Sequence, residues 1–142
     1  MDTKLLLTGI VFAATAAVQV SIAQQPGLTV APVLRSSATV LGQPIVYVKT
    51  ETPEVSSVIQ TYLPGAQTGW HSHLASSHIY VLEGVLTLEI DGGEKKEFRA
   101  GEAYMESVDV LHNARNNAAT PLKFLVVSYG QKGIVNNLFP KK

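Results

Sequence analysis

The chain has no cysteine, and its 142 residues carry no excess of either charge, with 11 basic and 11 acidic side chains. The absence of cysteine excludes disulfide staples, zinc–thiolate sites and thiol catalysis, so any metal must be held by nitrogen and oxygen. The balanced charge offers no basic face to follow a phosphate backbone, and nucleic acid is not an expected partner. No long stretch repeats apolar residues at a helical period, which argues against a helical domain. Histidine is scarce: His71, His73, His78 and His112 are the four, and none lies outside Gly65–Gly84 and Gly101–Asn116. That clustering singles out the two stretches, because imidazole is the commonest metal-ligating side chain.

A long apolar run occurs at the N-terminus. Leu5–Val20 is interrupted by Thr8, Gly9, Thr15 and Gln19; Lys4 precedes it, and Ser21-Ile22-Ala23 forms a small-x-small cleavage site before Gln24. The pattern predicts a secretory signal peptide over residues 1–23 and a periplasmic or secreted mature chain. The run is shorter than the roughly 20 apolar residues a membrane span needs and lacks a basic stop-transfer flank, so no membrane association is expected after cleavage. Residues 24–142 then suit one domain: an extended arm containing Pro26 and Pro32, followed by a core over about 45–129.

The core reads as short strands separated by Gly, Pro, Asn and Asp. Ile45–Lys49, Ser57–Leu63, Trp70–His73, Ile79–Leu82, Val85–Ile90, Glu94–Arg99, Ala103–Glu106, His112–Arg115 and Leu122–Tyr129 are the expected strands. Asp91-Gly92 signals a hairpin, expected to face solvent, and Gly130–Lys142 reads as a polar tail. Such a series predicts an antiparallel sandwich or barrel. Trp70, Tyr62, Phe124 and Tyr129 are expected to fill it, with one or two at a pocket mouth. Side chains alternate along a strand, so His71 and His73 point the same way. With His112 supplied by a distant strand, three imidazoles on one site suit a divalent first-row ion such as Fe, Mn, Ni, Cu or Zn.

The two histidine stretches resemble the two motifs of the cupins. Gly65-x5-His71-x-His73, then Tyr80-Val81-Leu82-Glu83-Gly84, is similar to the first; Gly101-x10-His112-x3-Asn116 is similar to the second. Pro64-Gly65 and Gly69-Trp70-His71 resemble the exported, quercetinase-like small cupins. The resemblance implies an antiparallel jelly-roll β-barrel, commonly dimeric, with a metal inside held by His71, His73 and His112. Two places depart from it. Ser77 stands where the first motif carries a glutamate ligand, and Ser107 and Asp109 stand where the second has Pro and Gly. The fourth donor is therefore open between Ser77, His78 and Glu106. The side chain of Glu106, with Tyr104 on the same face, reads as that ligand or as a general base.

Neutral imidazoles leave the full charge on a divalent ion, which suits a small anionic or chelating organic substrate. The expected function is a metal-dependent, dioxygenase-like oxidoreductase. The alternatives are a metal-dependent isomerase or lyase, a non-catalytic small-molecule or metal-binding protein, and a purely structural domain. A homodimer is expected, with the arm before Ile45 adding to a neighbour's sheet edge.

Overall fold

The structure, a computed structural model, describes residues 26–141, so the expected signal segment 1–23 lies outside it. Residues 26–31 are exposed and carry a turn at Pro26-Gly27. All strands described below lie in the separate compact unit Pro32–Lys142.

The strands, in chain order, are β1 (Pro53–Tyr62), β2 (Ser72–His73), β3 (Ser77–Glu83), β4 (Val85–Ile90), β5 (Lys95–Arg99), β6 (Ala103–Met105), β7 (His112–Arg115), β8 (Leu122–Gln131) and β9 (Asn137–Leu138). They form a four-stranded sheet β1-β8-β3-β6, a three-stranded sheet β5-β4-β7 and the pair β2-β9, with every pairing antiparallel. The all-β expectation holds, and the arrangement is a jelly roll.

Period-two alternation builds the core. On β3, Ser77, Ile79 and Val81 turn inward, and on β4, Leu86, Leu88 and Ile90 do the same. Leu122 and Phe124 of β8 and Tyr104 of β6, from the strands flanking β3, join these residues in one apolar cluster. Each buried Ile, Leu or Phe contributes about 1.5–3 kcal/mol by leaving water. The β4–β5 hairpin is only half solvent-facing, since β5 is largely exposed while β4 is the middle strand of its sheet. Gly84 joins β3 to β4 at φ +80°, and a Cβ there would stand 2.7 Å from the Pro121 carbonyl oxygen. Only glycine fits both the backbone angle and the close approach.

Three expectations need correction. Ile45–Lys49 forms no strand: it makes no ladder with the described strands, and Val46, Tyr47 and Val48 are exposed. Gly130–Lys142 is more than a polar tail: β8 runs on to Gln131 and Asn137–Leu138 pairs with β2. A two-residue strand is defined by its partner, which no sequence window shows. Trp70 is 41% exposed and does not fill the barrel; strand alternation that turns His71 inward turns its neighbour out.

Candidate metal centre

His71 and His112 are brought together by the backbone. His71 N–H donates to the His112 carbonyl at 2.9 Å, and His112 N–H returns the bond to His71 at 2.9 Å. Residues that exchange both bonds across antiparallel strands stand directly opposite, so both rings enter the barrel at one level. His73, two residues along, shares that face, and all three imidazoles are buried. Their ring centroids lie 4.5–4.9 Å apart. One nitrogen from each falls within 4.8 Å of the other two.

Two of the rings are oriented by the main chain. His71 Nδ1 lies 2.8 Å from the Gly69 carbonyl and His112 Nδ1 lies 2.8 Å from the Val110 carbonyl. A carbonyl only accepts, so each Nδ1 carries the proton and each Nε2 keeps its lone pair for a ligand. Asn113 supports this arrangement. Its side-chain oxygen accepts from Gly69 N–H at 3.0 Å, and its amide donates to Gln67 and Glu89. Asn113 is 1% exposed, and its one signal in the sequence is its place immediately after His112.

Glu106 joins the cluster from β6's end. Its N–H donates to the Ser77 carbonyl at 2.8 Å, which sets it opposite Ser77 across the β3–β6 pair. Glu106 Oε2 lies 3.0 Å from His73 Nε2, and Oε1 lies 3.8 Å from His112 Nε2. Although the first distance is short, its angle is not that of a hydrogen bond. Glu106 Oε2, both nitrogens of His73 and His112 Nε2 are all buried without a hydrogen-bond partner. Orphaned buried polar atoms are costly, and convergent ones point to a missing common partner.

Electrostatics follow from this packing. Burial pushes the Glu106 carboxyl up, but His112 and His73 beside it outweigh that and hold it down at about 2. Burial lowers His112, but Glu106 and the Val110 carbonyl raise it on balance. Burial lowers His71, against the pull of the Gly69 carbonyl, which keeps it a neutral donor. A divalent ion fits this donor set. Adjacent ligand atoms on bonds of about 2.1 Å stand roughly 3 Å or a little more apart, which matches the Glu106–His73 contact. The three buried histidines, His71, His73 and His112, could bind such an ion, and the Glu106 carboxylate stands beside them.

The other expected site residues fall elsewhere. Ser77 faces inward but its hydroxyl pairs with Ser128 at 2.8 Å and receives the Asn136 amide at 3.2 Å. His78 is half-buried on the opposite face of β3, because strand alternation turns it away once Ser77 points in. The structure does not bring it to the three-histidine group. Tyr104 does share the inward face with Glu106, but it belongs to the apolar cluster and stacks on Phe98 with centroids 4.1 Å apart. Burial and the nearby Glu106 charge raise its phenol well above the ordinary range, so it stays protonated.

Beside the histidines lies a cavity of about 30 Å³, walled in part by Gln60, Tyr62, Thr68 and Asn137. It has room for an ion and a water, and for no organic substrate. Tyr62 thus lines the interior as expected, with its hydroxyl 2.9 Å from Gln60 Oε1. Over the rim, Phe139 stacks on His71 with centroids 5.5 Å apart.

Comparison with known proteins agrees with this architecture. The chain is 33% identical over 88 residues to the β-alanine degradation protein BauB of Pseudomonas aeruginosa, covering 58% of this chain and 90% of that one. Among solved structures it resembles the polyketide cyclase RemF of Streptomyces resistomycificus, with 28% identity and a TM-score of 0.53. That match covers 62% of this chain and spans 63% of the cyclase's length. The DMSP lyase DddQ of Ruegeria pomeroyi shares the fold, at 18% identity and TM-score 0.52, over 59% of this chain and 42% of that one. The Cupin domain family matches residues 58–128, half of the sequence, and the chain therefore belongs to the cupins.

Proposed function

We propose that this cupin is a metal-dependent enzyme, a dioxygenase-like oxidoreductase, that acts on a small organic substrate through a chelating pair of oxygens. The observation that carries the reading is the convergence of orphaned donors from His73, His112 and Glu106, with His71 beside them, in a buried site. A divalent first-row ion bound there supplies Lewis acidity and open positions for a substrate and for O2 or water. The chain's own residues do the rest. The Gly69 and Val110 carbonyls fix the ring tautomers of His71 and His112. Glu106 presents an ionised carboxylate placed to serve as the fourth donor. Phe124, Val126 and Ala114 give the cavity an apolar wall beside the histidines.

A second reading is enolate chemistry without O2, as in a lyase or cyclase. The likeness to a protein named as a polyketide cyclase favours it, since repeated carbonyls offer the same chelating pair. Elemental analysis of the chain from Gln24 onward, beside His71→Ala/His73→Ala, tests the metal. An O2-consumption assay with diketones then separates the two chemistries. No metal after reconstitution would sink both readings and leave a binding module.

The partner proposed is a second copy of the chain. β1 is an edge strand whose residues are exposed except for the partly covered Gln60 and Tyr62, and the strand-forming Val46-Tyr47-Val48 is exposed. An open edge and an unpaired strand-former complete each other between two copies. Light scattering that gives a monomer mass would refute the dimer. Residues 1–23 direct export in this reading, and mass analysis of exported protein beginning at Gln24 checks it.

A further inference from the structure

The cavity beside the histidines is too small for a substrate, yet it opens onto a much larger space. A groove of about 430 Å³ lies along the inward face of β1 and β8, within the range of about 300–1,000 Å³ usual for organic ligands. The two spaces share Gln60, Val126 and Asn137 as walls. The remaining wall of the groove is the C-terminal strap, with Ile134, Val135, Asn136, Asn137 and Phe139 lining it. After β8 the chain turns at Gly133 (φ +77°) and runs back across the barrel mouth to pair with the ligand strand itself, Leu138 opposite Ser72 and Asn137 opposite His73. Asn136 pins it, its side chain bonding both the N–H and the carbonyl of Ala75.

The chemistry of this groove is selective. Val58, Val126, Ile134, Val135 and Phe139 give it apolar walls. Glu54 is the one charged side chain among the described residues lining it, and no Lys or Arg does so. A ligand's negative charge therefore finds a counter-charge at the histidine cluster alone; a second anionic group along the groove would meet no cation and the carboxylate of Glu54. Phe139, stacked on His71 at the junction, stands where a flat group attached to the chelating end must pass.

We infer that this groove is the substrate-binding site, that it takes an organic anion with one chelating end and a neutral, largely apolar body, and that Phe139 on the strap selects that body. The inference rests on the metal-centre reading above. Its test uses full chain loaded with zinc, titrated by calorimetry with acetylacetone, benzoylacetone and benzoylacetone carrying a para-carboxylate. Benzoylacetone binds about tenfold or more tightly than acetylacetone, and the carboxylate removes most of that gain. Phe139→Ala erases the preference for the phenyl ring over the methyl of acetylacetone.

Methyl NMR of zinc-free protein keeps the two readings apart. Shifts confined to Val58, Val126 and Ile134 on adding benzoylacetone support the groove even if zinc never binds, in which case only the metal reading falls. The groove proposal is overturned by zinc binding with unmoved groove methyls, by equal affinity for the three ligands, or by a Phe139→Ala variant that keeps the phenyl preference.

Discussion

Glu106→Gln keeps the shape of a buried side chain and removes its charge. A carboxyl held near 2 in place of its ordinary 4.5 is worth about 3 kcal/mol to the folded state once ionised. Glu106 is 7% exposed, so solvent screening takes little from that figure. The depressed carboxyl contributes above pH 4.5, and the contribution is lost as pH falls towards 2. His112 works in the other direction. Its raised value adds stability below about pH 6.5 that is lost as pH rises through its folded value. Both partners are charged between about pH 4.5 and 6.5, so the gap between wild type and variant is widest there. Urea denaturation of EDTA-treated protein measures it. At about pH 5.5 the variant is less stable by about 3 kcal/mol, and the gap narrows on either side. Saturating zinc widens it again at alkaline pH, because the ion takes the place of the lost proton. A gap that stays flat across this range, or a variant more stable than wild type at about pH 5.5, would show that the cost of burying the carboxylate exceeds what the imidazoles return.

Three further outcomes are expected. His71→Ala/His73→Ala loses stoichiometric metal in elemental analysis yet keeps its circular-dichroism spectrum, since neither ring belongs to the apolar cluster. His78→Ala leaves metal content unchanged, because its side chain lies on the far face of β3; a drop in bound metal would contradict the register seen here. Gly84→Ala costs about 3 kcal/mol in urea denaturation, from a left-handed backbone and a Cβ pressed against the Pro121 carbonyl, and a loss well under 1 kcal/mol would show that the turn adapts.

Local patterning carried most of the strands and the shared face of His71 and His73. Alternation along Trp70–His73 is enough to send His71 and His73 the same way, and along Val85–Ile90 it marks Leu86, Leu88 and Ile90 as core. Absent cysteine limited the donors to nitrogen and oxygen before any fold was known. The spacing of two glycine- and histidine-bearing motifs carried the resemblance to the cupins, which implied a jelly roll with His112 joining His71 and His73.

The fourth position needed tertiary structure. Whether Ser77 or His78 points inward depends on a one-residue register, which strand propensity does not distinguish and the β3–β8 pairing decides. That Glu106 reaches the histidines depends on its bond to the Ser77 carbonyl, a contact between residues 29 positions apart. Tyr104 was placed on the face of Glu106, and only the structure shows that its ring stacks on Phe98 within the apolar cluster. Asn113 holds the Gly69 loop through bonds that no local window contains. The same holds for β9 and Phe139: a polar-looking tail becomes the wall of a groove only when β2 offers it an edge. Local sequence sets which face a side chain takes along a strand, because that is a property of the backbone repeat. Which strands lie side by side is a property of the whole chain, and here that pairing decides the site.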